Sequence, residues 1–274
     1  MAYKRILTIQ DISCVGQCSM TVALPILSAC GHETCILPTA VLSTHTGGFG
    51  RPAVFHLDEA AEAFLQHWQE AGVDFDAILV GYIGNVQSVQ SVIKLADKLL
   101  APGGLLIVDP AFADHGKIYS GLDTEYVREM EQLCRRADIL LPNVTEAALF
   151  SGCKYQEIVD ETYVNQLLEK LNHPRVVLTG IGYREGETGV VLRDGQFRDH
   201  YTHPRIGKNY HGTGDMFAAA FTGAMMQEKT MQEAVRIAAD FVYRCIENTA
   251  EHPAHWYGVK FETALPYLMH RLTN

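Results

Sequence analysis

No stretch of this 274-residue chain approaches the roughly 18 consecutive apolar residues that a bilayer-spanning helix requires. The opening segment, MAYKRILTIQ, lacks the longer apolar run and small-residue cleavage site of a secretory signal, so a cytoplasmic location is expected. Basic charge is scarce. The 22 Lys+Arg stand against 32 Asp+Glu, a formal net charge of −10, which argues against nucleic acid or an anionic membrane as partner. Cysteine pairing is missing too. Cys14, Cys18, Cys30, Cys35, Cys134, Cys153 and Cys245 are odd in number and scattered, with no Cys-x-x-Cys and no nearby His pair. That excludes a recognisable zinc site and fits reduced thiols. No Gly-x-Gly-x-x-Gly follows the first strand-like segment, which counts against a dinucleotide-dependent oxidoreductase. Repeats, low-complexity tracts and linkers are absent as well, so residues 1–274 are expected to form one domain.

Apolar residues make up 47% of the chain and charged residues 20%, an ordinary globular composition. Short apolar runs at 5–10, 34–38, 77–80, 105–108, 139–141 and 175–179 read as strands covered on both faces. Between them, helices are expected at 18–30, 58–71, 85–100, 124–136 and 162–171. In the third of these, Val89, Ile93, Ala96 and Leu100 recur at helical spacing behind an Asn85 cap. Segments 189–192 and 196–201 flank Arg193-Asp194-Gly195, a hairpin signal. Helices at 213–226, 230–248 and 262–272 complete the chain. The alternation predicts an α/β fold with a mostly parallel sheet, helices on both faces and ligand-binding loops beyond the strands' carboxyl ends.

Those loops hold the chemistry. His211-Gly212-Thr213-Gly214-Asp215 opens a helix whose Phe217, Ala220, Phe221 and Ala224 are spaced to face the core. Glycines admit a close ligand approach, helix-start amides attract anions, and a carboxylate there suits proton acceptance from an attacking hydroxyl. The plainer alternative is a glycine turn with Asp215 as dipole partner. Asn143-Val144-Thr145-Glu146 reads either as a capping box or as a magnesium-side carboxylate. Asp109-Pro110-Ala111-Phe112-Ala113-Asp114 offers two carboxylates to a metal or substrate, or an ordinary turn. Tyr82, within Gly81-Tyr82-Ile83-Gly84, suits stacking on a flat ring or simple burial. Segment 43–50 reads as a lid or a glycine-rich turn. Asp11, Ser13 and Gly16 suit substrate hydrogen bonds or a helix start. Arg205 and Lys208 suit phosphate or solvent. Trp68 and Trp256 read as packing residues, and most of the twelve histidines as surface.

In their collinear order, Thr8-Ile9-Gln10, Ser43-Thr44-His45-Thr46, Gly81-Tyr82-Ile83-Gly84, Asp109-Pro110 through Asp114, Pro142-Asn143-x-x-Glu146 and Gly212-Thr213-Gly214-Asp215 resemble the ribokinase-like superfamily, specifically its pyridoxal kinase branch. The resemblance spans nearly the whole chain. It implies a three-layer α/β/α sandwich, usually homodimeric, that transfers the γ-phosphate of ATP to the 5′-hydroxymethyl group of pyridoxal, pyridoxine or pyridoxamine. It further implies Asp215 as general base, with the amides of Gly212, Thr213 and Gly214 around the transferring phosphoryl group. Asn143, Thr179 and Gly180 would lie near the ATP phosphates, and Asp114 and Glu146 around Mg²⁺. Asp11, Ser13, Thr46 and Tyr82 would lie around the ring. ATP and Mg²⁺ are thus the expected co-substrate and cofactor, and a monovalent cation is left open. Many relatives carry Ser directly after the first-strand Gln; here that position is Asp11, a carboxylate suited to a protonated ring nitrogen or an amine. A hydroxymethylpyrimidine kinase shares the superfamily and the chemistry, and a non-catalytic B6-binding protein is a more distant alternative.

Overall fold

The computed structural model describes residues 2–57, 60–207 and 210–273. Eleven strands are found among them: β1 (Arg5–Ser13), β2 (Glu33–Leu42), β3 (Val54–His56), β4 (Phe75–Val80), β5 (Leu100–Val108), β6 (Ala113–Asp114), β7 (Lys117–Ile118), β8 (Ile139–Leu140), β9 (Arg175–Thr179), β10 (Glu187–Asp194) and β11 (Phe197–Pro204). The helices are α1 (Met20–Ala29), α2 (Ala60–Glu70), α3 (Val86–Leu99), α4 (Thr124–Cys134), α5 (Val144–Ser151), α6 (Glu161–Leu171), α7 (Thr213–Met226), α8 (Met231–Ala250) and α9 (Leu265–Thr273), the last preceded by a 3₁₀ turn, Phe261–Ala264.

Nine strands form one sheet in the order β11-β10-β9-β8-β5-β4-β1-β2-β3. Strands β2, β1, β4, β5, β8 and β9 are parallel, and β3, β10 and β11 are antiparallel additions at the two edges. Alternate residues of the parallel strands enter opposite cores. Ile6, Ala77, Leu79, Ile107 and Val177 meet α1, α7, α8 and α9 on one face. Leu7, Ile9, Ile78, Val80, Leu106 and Val108 meet α3 and α4 on the other, and Val176 and Leu178 meet α5 and α6. Burial on both faces explains why these strands read as continuous apolar runs. The result is the expected sandwich of helices, sheet and helices. Among the described residues no helix is long and apolar enough to cross a membrane.

The strand order reverses between β1 and β4, because the chain leaves β1 for β2 on one side and returns to β4 on the other. Such a reversal opens a crevice at the carboxyl ends. Helix α7 is buried almost all round from Met216 to Ala224 and packs between α1 and α8, so its N-terminus is held rigidly at that crevice.

Several boundaries differ from expectation. β1 runs on to Ser13 across a register shift between Gln10 and Ile12, so Asp11 and Ser13 are strand residues rather than loop residues. Leu100 is extended (ψ 124°) and starts β5, so the buried face of α3 is Val89, Val92, Leu95, Ala96 and Leu99. The expected helix 58–71 starts within the undescribed residues and is seen from Ala60. All seven thiols are free. Most histidines are exposed, as expected, with His32, His45 and His173 the buried ones.

Candidate active site

At the end of β1 the Asp11 carboxylate is 4% exposed and accepts a hydrogen bond from Ser13 Oγ at 2.9 Å. Burial raises its pKa, opposed by the hydroxyls of Ser19 and Ser13. The chain then turns through 14–19 to Ser19, a non-glycine residue at φ 52°, ψ −127°. Its N–H donates to Asp215 Oδ2 at 2.9 Å. A buried serine in a conformation that favours glycine is strained, and here it joins the two carboxylates.

Asp215 lies in the first turn of α7. Burial pushes its carboxyl up to about 6, the Ser19 N–H opposes that shift, and the charge of Asp11 adds to it. The N-cap of α7 is Gly212, at φ 79° and without a side-chain cap, so the first amides of Thr213 and Gly214 are not closed off by a capping side chain. A Cβ at Gly212 would sit 1.9 Å from the Gln17 carbonyl oxygen, so the close approach of the 14–19 turn requires glycine there. Thr213 Oγ1 donates back to the Tyr210 carbonyl at 3.3 Å.

The opposite wall comes from β5, β8 and β9. Glu146 is 1% exposed, and both of its carboxylate oxygens are engaged: Oε1 accepts from Phe112 N–H (3.0 Å) and Ala113 N–H (3.4 Å), and Oε2 from Asn143 N–H (2.9 Å). Asn143 Oδ1 accepts from Glu146 N–H at 3.0 Å, completing the capping box of α5, and Asn143 Nδ2 donates to the Ala113 carbonyl at 2.7 Å. Asn143 also bridges to Thr179, whose N–H donates to the Pro142 carbonyl at 2.9 Å, with Gly180 exposed just beyond. This network holds the 109–114 turn in place, including Ala111 at φ 44°. Asp109 is pushed well above the ordinary carboxylate range by burial and then by the charges of Glu146 and Asp215. Glu146 is raised as well, chiefly by burial. Asp114 is half-exposed and pairs with His115 at 3.5 Å.

The remaining residues frame the crevice. Tyr82, after β4, is partly buried, and its phenol is raised by burial and by the Asp11 charge. Thr46 is exposed on the 43–50 loop. That loop is anchored rather than loose. His45 Nδ1 accepts from Gly47 N–H (3.0 Å), its Nε2 contacts the Tyr257 carbonyl (2.8 Å), and Phe49 packs on Trp256 with ring centroids 4.7 Å apart.

The candidate residues thus form two groups: Asp11, Ser13, Tyr82, Gly212, Thr213, Gly214 and Asp215 on one side, and Asn143, Glu146, Thr179, Asp114 and Gly180 on the other. Asp109 links them, with Oδ2 lying 3.9 Å from a Cβ placed at Gly214. Arg205 is exposed, and its N–H donates to the Gly186 carbonyl (2.7 Å); Lys208 lies outside the described residues. Three participants escaped the sequence reading. Ser19 reads from sequence only as a helix start. Gln17 contributes a backbone carbonyl, which no side-chain motif reveals. Tyr119 has its phenol raised by burial and by Glu146, Asp114, Asp109 and Asp215 in turn.

Among the described residues no group of three or more His, Cys, Asp or Glu is arranged to hold a metal by itself. Three buried carboxyl groups, Asp109, Glu146 and Asp215, nevertheless meet near the junction of the two walls, where the charges of the latter two help raise the Asp109 pKa. That fits a cation such as Mg²⁺, which keeps several waters and takes its other ligands from phosphates and one or two carboxylates.

Known proteins share this fold. The chain is 29% identical over 177 residues to a hydroxymethylpyrimidine/phosphomethylpyrimidine kinase of Bacillus subtilis, spanning 64% of each. Of solved structures, a pyridoxal kinase from Lactobacillus plantarum superposes with a TM-score of 0.89 at 32% identity, covering 97% of both chains. A Bacteroides thetaiotaomicron protein named as a phosphomethylpyrimidine kinase, in a crystal form with pyridoxal, gives a TM-score of 0.91 at 31% identity over 97% of this chain and 95% of that one. A family model described as phosphomethylpyrimidine kinase matches residues 26–259, so the chain belongs to that family and is a pyridoxal kinase-like protein of ribokinase-like fold.

Proposed function

We propose that residues 1–274 form one kinase domain that transfers the γ-phosphate of ATP to the 5′-hydroxymethyl group of a B6 vitamer. The observation that carries this reading is the pairing of Asp215 with an uncapped, glycine-led helix start. The Ser19 N–H fixes Oδ2 and leaves Oδ1 for the substrate hydroxyl. As the hydroxymethyl oxygen bonds to the γ-phosphorus, its proton passes to Asp215 and the bond to the β,γ-bridging oxygen breaks, giving the phosphate ester and ADP. A carboxylate with a pKa of about 6 is ionised at neutral pH yet basic enough to take that proton. The Gly212–Gly214 amides and the α7 dipole face the charge on the moving phosphoryl group.

The ATP phosphates are assigned to the side of Asn143, Thr179 and Gly180. Mg²⁺ belongs with Asp109 and Asp114, with Glu146 behind them shaping the turn, and when bound it would offset phosphate charge. The ring belongs with Asp11, Ser13, Thr46 and Tyr82. The B6 reading is supported by the full-length similarity to the L. plantarum pyridoxal kinase and to the Bacteroides structure containing pyridoxal. Hydroxymethylpyrimidine is the second reading, favoured by the name of the B. subtilis relative.

The test is ADP release with pyridoxal, pyridoxine, pyridoxamine and 4-amino-5-hydroxymethyl-2-methylpyrimidine, each with and without Mg²⁺. Mg²⁺-dependent turnover of at least one B6 vitamer, with higher kcat/KM than the pyrimidine, is expected. Turnover confined to the pyrimidine moves the assignment to the second reading, and no turnover with any of the four removes both.

A further inference from the structure

Asp11 is a carboxylate buried to 4% exposure, and among the described residues no Lys or Arg forms an ion pair with it. Its polar partners are neutral hydroxyls, Ser13 Oγ at 2.9 Å and the side chain of Ser19. His45 is the nearest ring that could carry positive charge, but Gly47 N–H donates to its Nδ1. Its Nε2 contacts the Tyr257 carbonyl at 2.8 Å, so both ring nitrogens are engaged by backbone groups rather than by Asp11. The other groups facing Asp11 add no positive charge. Tyr82 is a phenol raised by burial, Cys18 is a thiol raised by burial, and Asp215 is a second carboxylate. A buried charge requires a partner, and Asp11 is clamped by two hydroxyls with no Lys or Arg paired to it among the described residues.

We propose that Asp11 recognises a protonated nitrogen on the substrate, and that this ion pair selects a cationic ring over a neutral one. The proposal deepens the functional reading above and rests on it for the position of the alcohol. Asp215 takes the hydroxymethyl end, and Asp11, joined to it through Ser19, takes a positive nitrogen on the same small ring. A 3-hydroxypyridine retains its ring proton at neutral pH by forming a zwitterion, whereas an aminopyrimidine is largely neutral there. Asp11 thereby distinguishes the two substrate classes that family membership leaves together. Thr or Ser at this position would offer a hydrogen bond without charge and lose that distinction.

The test uses the full chain, its Asp11→Ser variant, and Asp11→Asn as the near-isosteric variant that keeps the Ser13 and Ser19 contacts. KM and kcat are measured for pyridoxine, which has the ring nitrogen alone, for pyridoxamine, which adds an amine, and for the neutral pyrimidine. Losing one charge-assisted contact should raise the pyridoxine KM about tenfold or more relative to the pyrimidine KM, with kcat changed less. Equal losses for pyridoxine and pyridoxamine place the contact on the ring nitrogen; a loss confined to pyridoxamine places it on the amine. KM values for both pyridoxine and pyridoxamine that stay unchanged relative to the pyrimidine KM in both variants overturn the proposal. Calorimetric titration of pyridoxine without ATP separates this from the kinase reading. Asp11-dependent binding without phosphorylation keeps the recognition role and removes the kinase, whereas phosphorylation with Asp11-independent binding does the reverse.

Discussion

Helices α5 and α7 begin on the same crevice, and their N-termini are finished in opposite ways. α5 is sealed by its own residues: Asn143 and Glu146 satisfy one another's backbone, and the remaining Glu146 oxygen collects Phe112 and Ala113. α7 starts on Gly212 with no side-chain cap, and its acidic first-turn residue is turned towards Ser19 across the crevice. A sealed start holds a wall, whereas an open one leaves amides for a ligand anion. The same acidic residue type in the first turn therefore serves structure in α5 and, in our reading, chemistry in α7.

The largest effect expected from this contrast is that of Asp215→Asn. Removal of the proposed general base should lower kcat by about 10²- to 10⁴-fold while ATP binding, followed by calorimetry, persists. Stability should move the other way. Raising the Asp215 pKa to about 6 in the fold means that the protonated form is the favoured native form. Its contribution is complete below the ordinary carboxylate range and is lost as pH rises through about 6, so the wild type bears the cost of a buried charge at neutral pH. Asp215→Asn should then be more stable than wild type by about 1–3 kcal/mol near pH 8, with the gap closing towards pH 4. Melting curves across that range check it, and a gap that does not depend on pH would remove the assigned ionisation. The wild-type kcat/KM should show an acid limb near about 6.

Next in size is Gly212→Ala, compared with Gly152→Ala at the far end of α5. Both glycines have positive φ, 79° and 64°. They differ in surroundings, since a Cβ at Gly212 meets the Gln17 carbonyl at 1.9 Å, while at Gly152 nothing lies within 4 Å. Gly152→Ala should cost about 1–2 kcal/mol, the intrinsic penalty of a left-handed alanine, with kcat unchanged. Gly212→Ala should cost more than that and also depress kcat, because the backbone must shift where the proposed phosphoryl cradle and the 14–19 turn meet. Equal melting temperatures for the two variants would show that the close approach at Gly212 imposes nothing.

The sequence made these helices legible to different degrees. α7 was visible to its boundaries because its apolar spacing is long and a glycine run opens it. α5 was visible only as a cap: eight residues are too few for periodicity to register, although Asn143 and Glu146 stood out. The parallel strands were readable from continuous apolar runs, but β3 was not, since Val54, Phe55 and His56 are all exposed and their pairing with β2 is set by tertiary contact. Asp11 and Ser13 looked like loop residues because a register shift carries β1 past Gln10. The bond from Ser19 to Asp215 joins residues 196 positions apart, and no local pattern encodes it. Motifs thus named most of the candidate residues, while the backbone groups that contact them, Ser19 N–H and the Gln17 carbonyl, emerged only from the fold.

Glu146→Gln probes the sealed helix with a smaller effect. The carboxylate accepts from Asn143 on one oxygen and from Phe112 and Ala113 on the other, so an amide can satisfy only one side. Its NH₂ must face a backbone N–H, which leaves buried donors unmatched at a cost of about 1–3 kcal/mol. Part of that loss is offset because burial already disfavours the Glu146 charge, and the amide carries none. Held mainly as a strut, Glu146→Gln lowers the melting temperature while the Mg²⁺ concentration for half-maximal activity stays within about twofold of wild type. Facing the metal directly, it raises that concentration about tenfold or more, with stability little changed. The second result would break the contrast between the two helix starts: α5 would then be a ligand wall as much as α7, and Glu146 would be functional first and a cap second.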